Sequence, residues 1–221
     1  METLEDSRRI VFTEITADDP AVRGEYLAKF EAQAREFSDG MADAVTRWRA
    51  LDAGSEKNEK HAYVSALTYS AITLHIQSMK LFLSGQPVAS GNLLRQVIEA
   101  IALALICSGK LDVLDRFIED KYSPNNAVRD ACRHYEKLGI LKDSVTTLRD
   151  AQQFYHRYSH PTKMTIASVT SLSGEGYYVG ASFDDAKVAA YEKEVNNRVN
   201  LAQVFPSFIE AVKSNVAKWW Q

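Results

Sequence analysis

"NLLRQVIEAIALALICSG", residues 92–109, decides the fold. Wound as a helix it is apolar on nearly every side, and such a helix belongs at the centre of a bundle. Gly109 supplies a natural stop. The longest apolar run, 98–107, carries Glu99 and is too short to cross a bilayer. This stretch therefore predicts a buried helix over about 88–108 and no membrane contact.

The flanking segments also show helical spacing. From about 60 to 83, Val64, Leu67, Ala71 and Leu74, with Ile72, Met79 and Phe82, recur on one broad face, and "SGQP" ends that helix. Upstream, "ADDP" offers an aspartate cap and a proline at a first helical position. A helix is expected from Pro20 towards Phe37, weakened or bent at Gly40 and continuing from Met41 to about Leu51. "DAGSEKNEK" (52–60) is polar and reads as a loop. Downstream, Leu111, Leu114, Phe117 and Ile118 share a face. "SP" at 123–124 then opens a helix that aligns Val128, Ala131, Cys132, Tyr135 and Leu138 before Gly139. Asp143 or Ser144 can cap the next helix, which should end at or just before His160, because a residue preceding proline is pushed out of helical geometry.

Two stretches depart from this period. "RRIVFTEI" (8–15) is rich in branched and aromatic residues and suggests an N-terminal strand or arm within 1–19. "MTIASVTSLSGEGYYVGASF" (164–183) places two strand-like runs around a Gly-Glu-Gly turn, predicting a β-hairpin over 165–183. From 184 to 221 a long amphipathic helix sets Val195, Ala202, Ile209 and Val216 seven apart, with Phe205, Val212 and Trp219 offset by three. Pro206 should kink it. The near-seven period fits a helix wrapped on its own core, and the "WW" at 219–220 leaves room for a subunit contact. The expectation is one mainly α domain over 1–221, a helical bundle of about seven helices with a small β-hairpin before the long C-terminal helix.

A chain of 221 residues with 46% hydrophobic content can bury a sizeable core in one domain. A net charge of −3 and a pI near 6.0 argue against coating nucleic acid by bulk attraction, while leaving room for a local basic site. Cys107 and Cys132 are too few to frame a chain of this size with disulfides, and both sit in apolar helical patterns, as small buried groups in a reducing compartment would. "METLEDSRRI" is acidic and polar where a signal peptide is basic and then apolar, so a cytoplasmic location is expected.

The lead on chemistry is "LRDAQQFYHRYSHPT", residues 148–162. On a helix Val145, Leu148, Ala151, Tyr155 and Tyr158 form the stripe that faces the core. Arg149, Gln152 or Gln153, His156 and His160 return to a neighbouring face. Arg149 and His156 are then separated by about 10 Å along the axis, a span over which an arginine and an imidazole can meet the two ends of a phosphodiester. Carbonyls at a helix C-terminus favour imidazolium, which suits a general acid or an anion contact better than a metal ligand.

Arg149-Asp150 followed by His156 resembles the signature of HEPN domains, helical proteins whose motif is an arginine, a polar residue and a histidine. Six residues separate Arg149 from His156, the longest spacing that pattern admits. The resemblance implies metal-independent RNA cleavage across a homodimer, in a ribonuclease or RNA-binding protein with a toxin or defence role. Arg149 would stabilise charge on phosphate, and His156, or His160 on the same strip, would transfer protons around the 2′-hydroxyl attack. "GNLLRQVIEAIALAL" with "FYHRYSHPT" is also similar to a family of uncharacterised bacterial helical proteins that pair an Arg-x-x-x-Glu with a later Tyr, Ser and His-Pro. That similarity singles out Arg95, Glu99, Tyr155 or Tyr158, Ser159, His160 and Pro161.

Each feature has a plainer reading beside it. Arg149, His156 and Arg157 fit a solvated helix edge, and Arg95 and Glu99, four apart on a buried helix, fit a structural ion pair with His160 or Tyr155 as a partner. "HRYSH" lacks the glutamate of HExxH and has no evident third ligand, so no metal and no cofactor are expected. His75 reads as a core histidine, His61 and His134 as surface residues, and "SGEG" (173–176) as a turn. Two functions stay open: a HEPN-like RNA-binding or ribonuclease protein, and a non-catalytic helical module for a protein or ligand. Catalysis itself is undecided, and a homo-oligomer is expected in both.

Overall fold

A computed structural model describes residues 3–56 and 58–220 of the chain, except for the side chain of Trp220. The fold is mainly helical. Among the described residues there are nine α-helices: α1 (Leu4–Thr16), α2 (Pro20–Asp52), α3 (Glu59–Leu83), α4 (Pro87–Gly109), α5 (Leu111–Ile118), α6 (Ala127–His134), α7 (Lys142–Tyr155), α8 (Lys163–Val169) and α9 (Val188–Ala217).

Helix α4 is the axis, as its sequence dictates. It packs against α3, α9, α6, α7 and α5, and its consecutive residues 101–108 are all buried. By length and composition alone α4 could cross a membrane, the apolar window extending well beyond 98–107, but two thirds of that window lies inside the bundle. Side-chain pairings give the directions. Tyr26 meets Tyr191, Gly40 approaches Ala202 and Arg47 pairs with Glu210, so α2 and α9 run parallel. Ser90 reaches Arg198 and Asn215 reaches Ser108, which makes α4 parallel to them, whereas the Glu99–Gln152 and Asn92–Ser159 contacts set α7 antiparallel to α4.

The expected bend at Gly40 is absent, and the interruption in α2 lies instead at Phe30, whose φ of −126° and ψ of 23° are non-helical. Gly40 serves close approach, since a Cβ there would stand 3.3 Å from the backbone of Ala202. Ala202 is also the residue whose carbonyl loses its donor to Pro206, and α9 runs through that proline as one helix. The aspartate cap of α2 does not form: Asp19 sits in left-handed geometry and its side chain bonds no cap amide, while Pro20 occupies the first turn.

Both segments read as β-structure are helical. Residues 8–15 lie in α1, where the Thr3 hydroxyl accepts from the Asp6 amide and the Asp6 carboxylate accepts from Thr3, and i,i+3 ion pairs follow. The N-terminal strand is therefore replaced by a helical arm. The hairpin is replaced by α8, opened by a reciprocal Thr162–Thr165 cap, and by a loop whose only β feature is a single bridge between Thr170 and Tyr177. In each case a local cap outweighs branched residues that have no partner strand to pair with. The loop closes on Asp184, whose carboxylate accepts from the Leu172 and Ala186 amides. Burial works to raise its pKa, but these bonds and nearby hydroxyls outweigh it and hold the carboxyl at about 2. Trp219 is turned inward, its indole donating to the Ser108 carbonyl.

Candidate functional site

The sequence run 148–162 is divided by the fold. α7 stops at Tyr155 and a 3-10 turn carries His156–Tyr158, so His160 lies just beyond the helix. The apolar side of the run goes inward. Tyr155 and Tyr158 are buried, and the Tyr158 ring lies so close over Gly91 of α4 that a Cβ there would come within 2.5 Å of it.

Their hydroxyls converge on α9. Tyr155 donates to one oxygen of Glu194 at 3.2 Å and Tyr158 to the other at 3.1 Å, while Arg198 donates to Glu194 at 2.8 Å. Asn197 donates to the Tyr155 oxygen. Arg198 is 0% exposed, reaches Ser90 of α4 and stacks over Phe82, and its Nε has no partner among the described residues. Burial, and then the Glu194 charge, pushes both tyrosines well above the usual phenol range. On the far side of Arg198, His75 donates to its backbone carbonyl at 3.0 Å and stacks on Phe205. Burial holds its imidazole down at about 3, hence neutral. Glu194, Asn197 and Arg198 are not among the residues the sequence motifs single out; the signal that marks Glu194 and Arg198 is their i,i+4 spacing within the apolar stripe of α9.

Arg95 and Glu99 form their expected pair at 3.0 Å, yet the partner from another helix is Gln152, which donates to Glu99, and not His160 or Tyr155. Ser159 donates to Asn92 at 2.7 Å. The residues suggested for catalysis stand on the outer surface. Arg149 is half-exposed and pairs with Asp150, and His156 and His160 are exposed with ring centres 4.4 Å apart. His61, expected at the surface, is buried under the turn at Gly54. The Cys107 thiol is pushed up to about 12 by burial, away from the thiolate form. Among the described residues no cluster of three or more His, Cys, Asp or Glu side chains is arranged to hold a metal ion.

A concavity lies elsewhere. α7 and α9 form walls over a floor of Leu94 and Ile98 from α4, enclosing a groove of about 700 Å³ with Leu148, Phe154, Leu201 and Val204 along its sides. Its rim is polar: Asp143 and Asp150 on one wall, Asn197 and Asn200 on the other. A second cleft of about 640 Å³ lies beneath α8 and shares Phe154 and Asn197 with the first. Arg149, His156 and His160 line neither. Compared with protein-family models, curated proteins and solved structures, the chain matched none.

Proposed function

We propose that the protein is a non-catalytic helical binding module whose binding surface is the α7–α9 groove. The observation that carries this reading is the way the groove is built. The Tyr155–Glu194–Arg198 network ties α7 to α9 just beneath it, so the walls are held apart at fixed spacing and the apolar floor stays open. A preformed apolar trough with a few polar groups at the rim suits recognition, and its length suits an amphipathic helix laid along it. The groups best placed for proton transfer are engaged: Glu194 accepts three bonds and His75 is sealed in the core.

Uptake of an apolar fluorescent probe tests the reading. The chain should bind the probe, and Thr147→Trp, which adds an indole to an exposed position on the groove wall, should weaken binding by at least about tenfold with the melting temperature unchanged. Undiminished binding in that variant would remove the reading.

A second reading is favoured by one observation. His156, Arg157, His160 and Lys163 are exposed at one end of the same wall and make no ion pair among the described residues. Such a patch fits phosphate, and a HEPN-like ribonuclease would use His156 from it together with Arg149, about two turns back along α7 and paired with Asp150. Cleavage of labelled RNA in excess chelator, lost in both Arg149→Ala and His156→Ala, would favour this second function over the first.

A further inference from the structure

The cleft beneath α8 differs from the groove in the sign of its charge. Phe154, Met164, Ala167 and Leu172 give it an apolar interior, and its volume of about 640 Å³ is that of a small-molecule site. Three charged side chains line it: Lys187, Glu194 and Lys193. Lys187 is buried and is answered by Asp184 at 3.8 Å and by the Ser168 carbonyl at 3.1 Å. Glu194 is answered by Arg198. Lys193 is exposed and makes no ion pair among the described residues, so the cleft is left with one positive charge.

Two further donors stand beside that charge. Asn197 follows Lys193 by four residues on the same side of α9 and also lines the cleft. Its amide gives one N–H to the Tyr155 oxygen and keeps a second donor. Arg157, exposed and without an ion pair among the described residues, lies over the ring of Phe154, 5.9 Å from its centre. An ammonium, an amide N–H and a guanidinium therefore flank an apolar cavity. The α7–α9 groove shares Phe154 and Asn197 with the cleft, but it is lined by Asp143 and Asp150 and by no lysine or arginine, so it offers an anion no cationic partner.

We infer that the cleft beneath α8 is a second binding site, for a small molecule that joins a hydrocarbon body to a single carboxylate. The body lies among Phe154, Met164 and Leu172, and the carboxylate stays at the mouth, accepting from Lys193 and Asn197 with Arg157 close by. A cationic amphiphile meets charge of its own sign there, and a neutral one leaves the ammonium unused. The site stands independently of the groove.

Decanoate, kept below its micelle concentration, is the probe, with decanol and decyltrimethylammonium as its neutral and cationic counterparts. Calorimetric titration of the full chain should show decanoate bound at one site, at least about tenfold more tightly than either counterpart. Lys193→Gln should weaken decanoate binding by at least about fivefold, and Ala167→Trp, which fills the interior from an exposed position, by at least about tenfold, both with melting unchanged. Thr147→Trp, which obstructs the groove, should leave decanoate binding as it is. No binding, or decanoate bound no better than decanol, overturns the inference. Binding that is lost in Thr147→Trp and untouched by Ala167→Trp also overturns it, since the carboxylate would then belong to the groove. The groove is judged by the apolar probe on Thr147→Trp and the cleft by decanoate on Ala167→Trp, so each reading fails separately.

Discussion

Glu194 and Arg198 meet at 2.8 Å inside the bundle, one helical turn apart, with both carboxylate oxygens also taken by Tyr155 and Tyr158. Removing one member leaves the other charge buried and alone. Glu194→Ala should therefore cost about 3–5 kcal/mol of stability, read from denaturant unfolding. Replacing the pair together by Glu194→Leu and Arg198→Met should recover most of the loss. If the double variant is as unstable as the single one, the pair is holding more than its own charges.

At the α4–Tyr158 contact the constraint is steric. Gly91→Ala puts a methyl group 2.5 Å from the Tyr158 ring. The ring must shift and disturb its bond to Glu194, at a cost of about 1–3 kcal/mol. A melting temperature equal to wild type would show that the ring has room to move.

Acid should weaken the fold through His75. Its folded pKa of about 3 lies below the 6.5 of an ordinary imidazole, so the unfolded chain binds the extra proton between these values. The contribution is complete above about pH 6.5 and is lost progressively as the pH falls towards 3. Asp184, with a folded pKa of about 2 against 3.8, adds its own loss only below about pH 4. Between pH 6.5 and 4.5 the decline in melting temperature should therefore flatten in His75→Gln, which keeps a donor for the Arg198 carbonyl. An unchanged slope would assign the decline to other groups.

The exposed histidines should matter little to folding. His156→Ala and His160→Ala each change a solvent-facing ring, and stability should stay within about 0.5 kcal/mol of wild type. A large drop for His160→Ala would mean that the turn before Pro161 is held by that ring.

The central helix was legible because 92–109 is apolar on nearly every side, and the stripes of α3, α7 and α9 followed from the same period. Residues 8–15 and 164–183 look like strands because Ile10, Val11, Ile166 and Val169 favour β-structure, but the reciprocal caps at Thr3–Asp6 and Thr162–Thr165 start helices there. At the site, the Arg95–Glu99 pair was visible from spacing. The groove was not, since it arises from the distance between α7 and α9, which lie far apart in sequence. Glu194 was readable as a carboxylate inside an apolar stripe; that two tyrosines from α7 and the turn after it would meet it depends on Gly91 admitting the Tyr158 ring.

The most direct test of the groove is an amide NMR spectrum of the chain titrated with the apolar probe. Shifts should concentrate at Leu148, Ala151, Asn200 and Leu201, on facing walls of one trough. Shifts confined to 156–163, or scattered over the molecule, would contradict the α7–α9 groove as the binding surface.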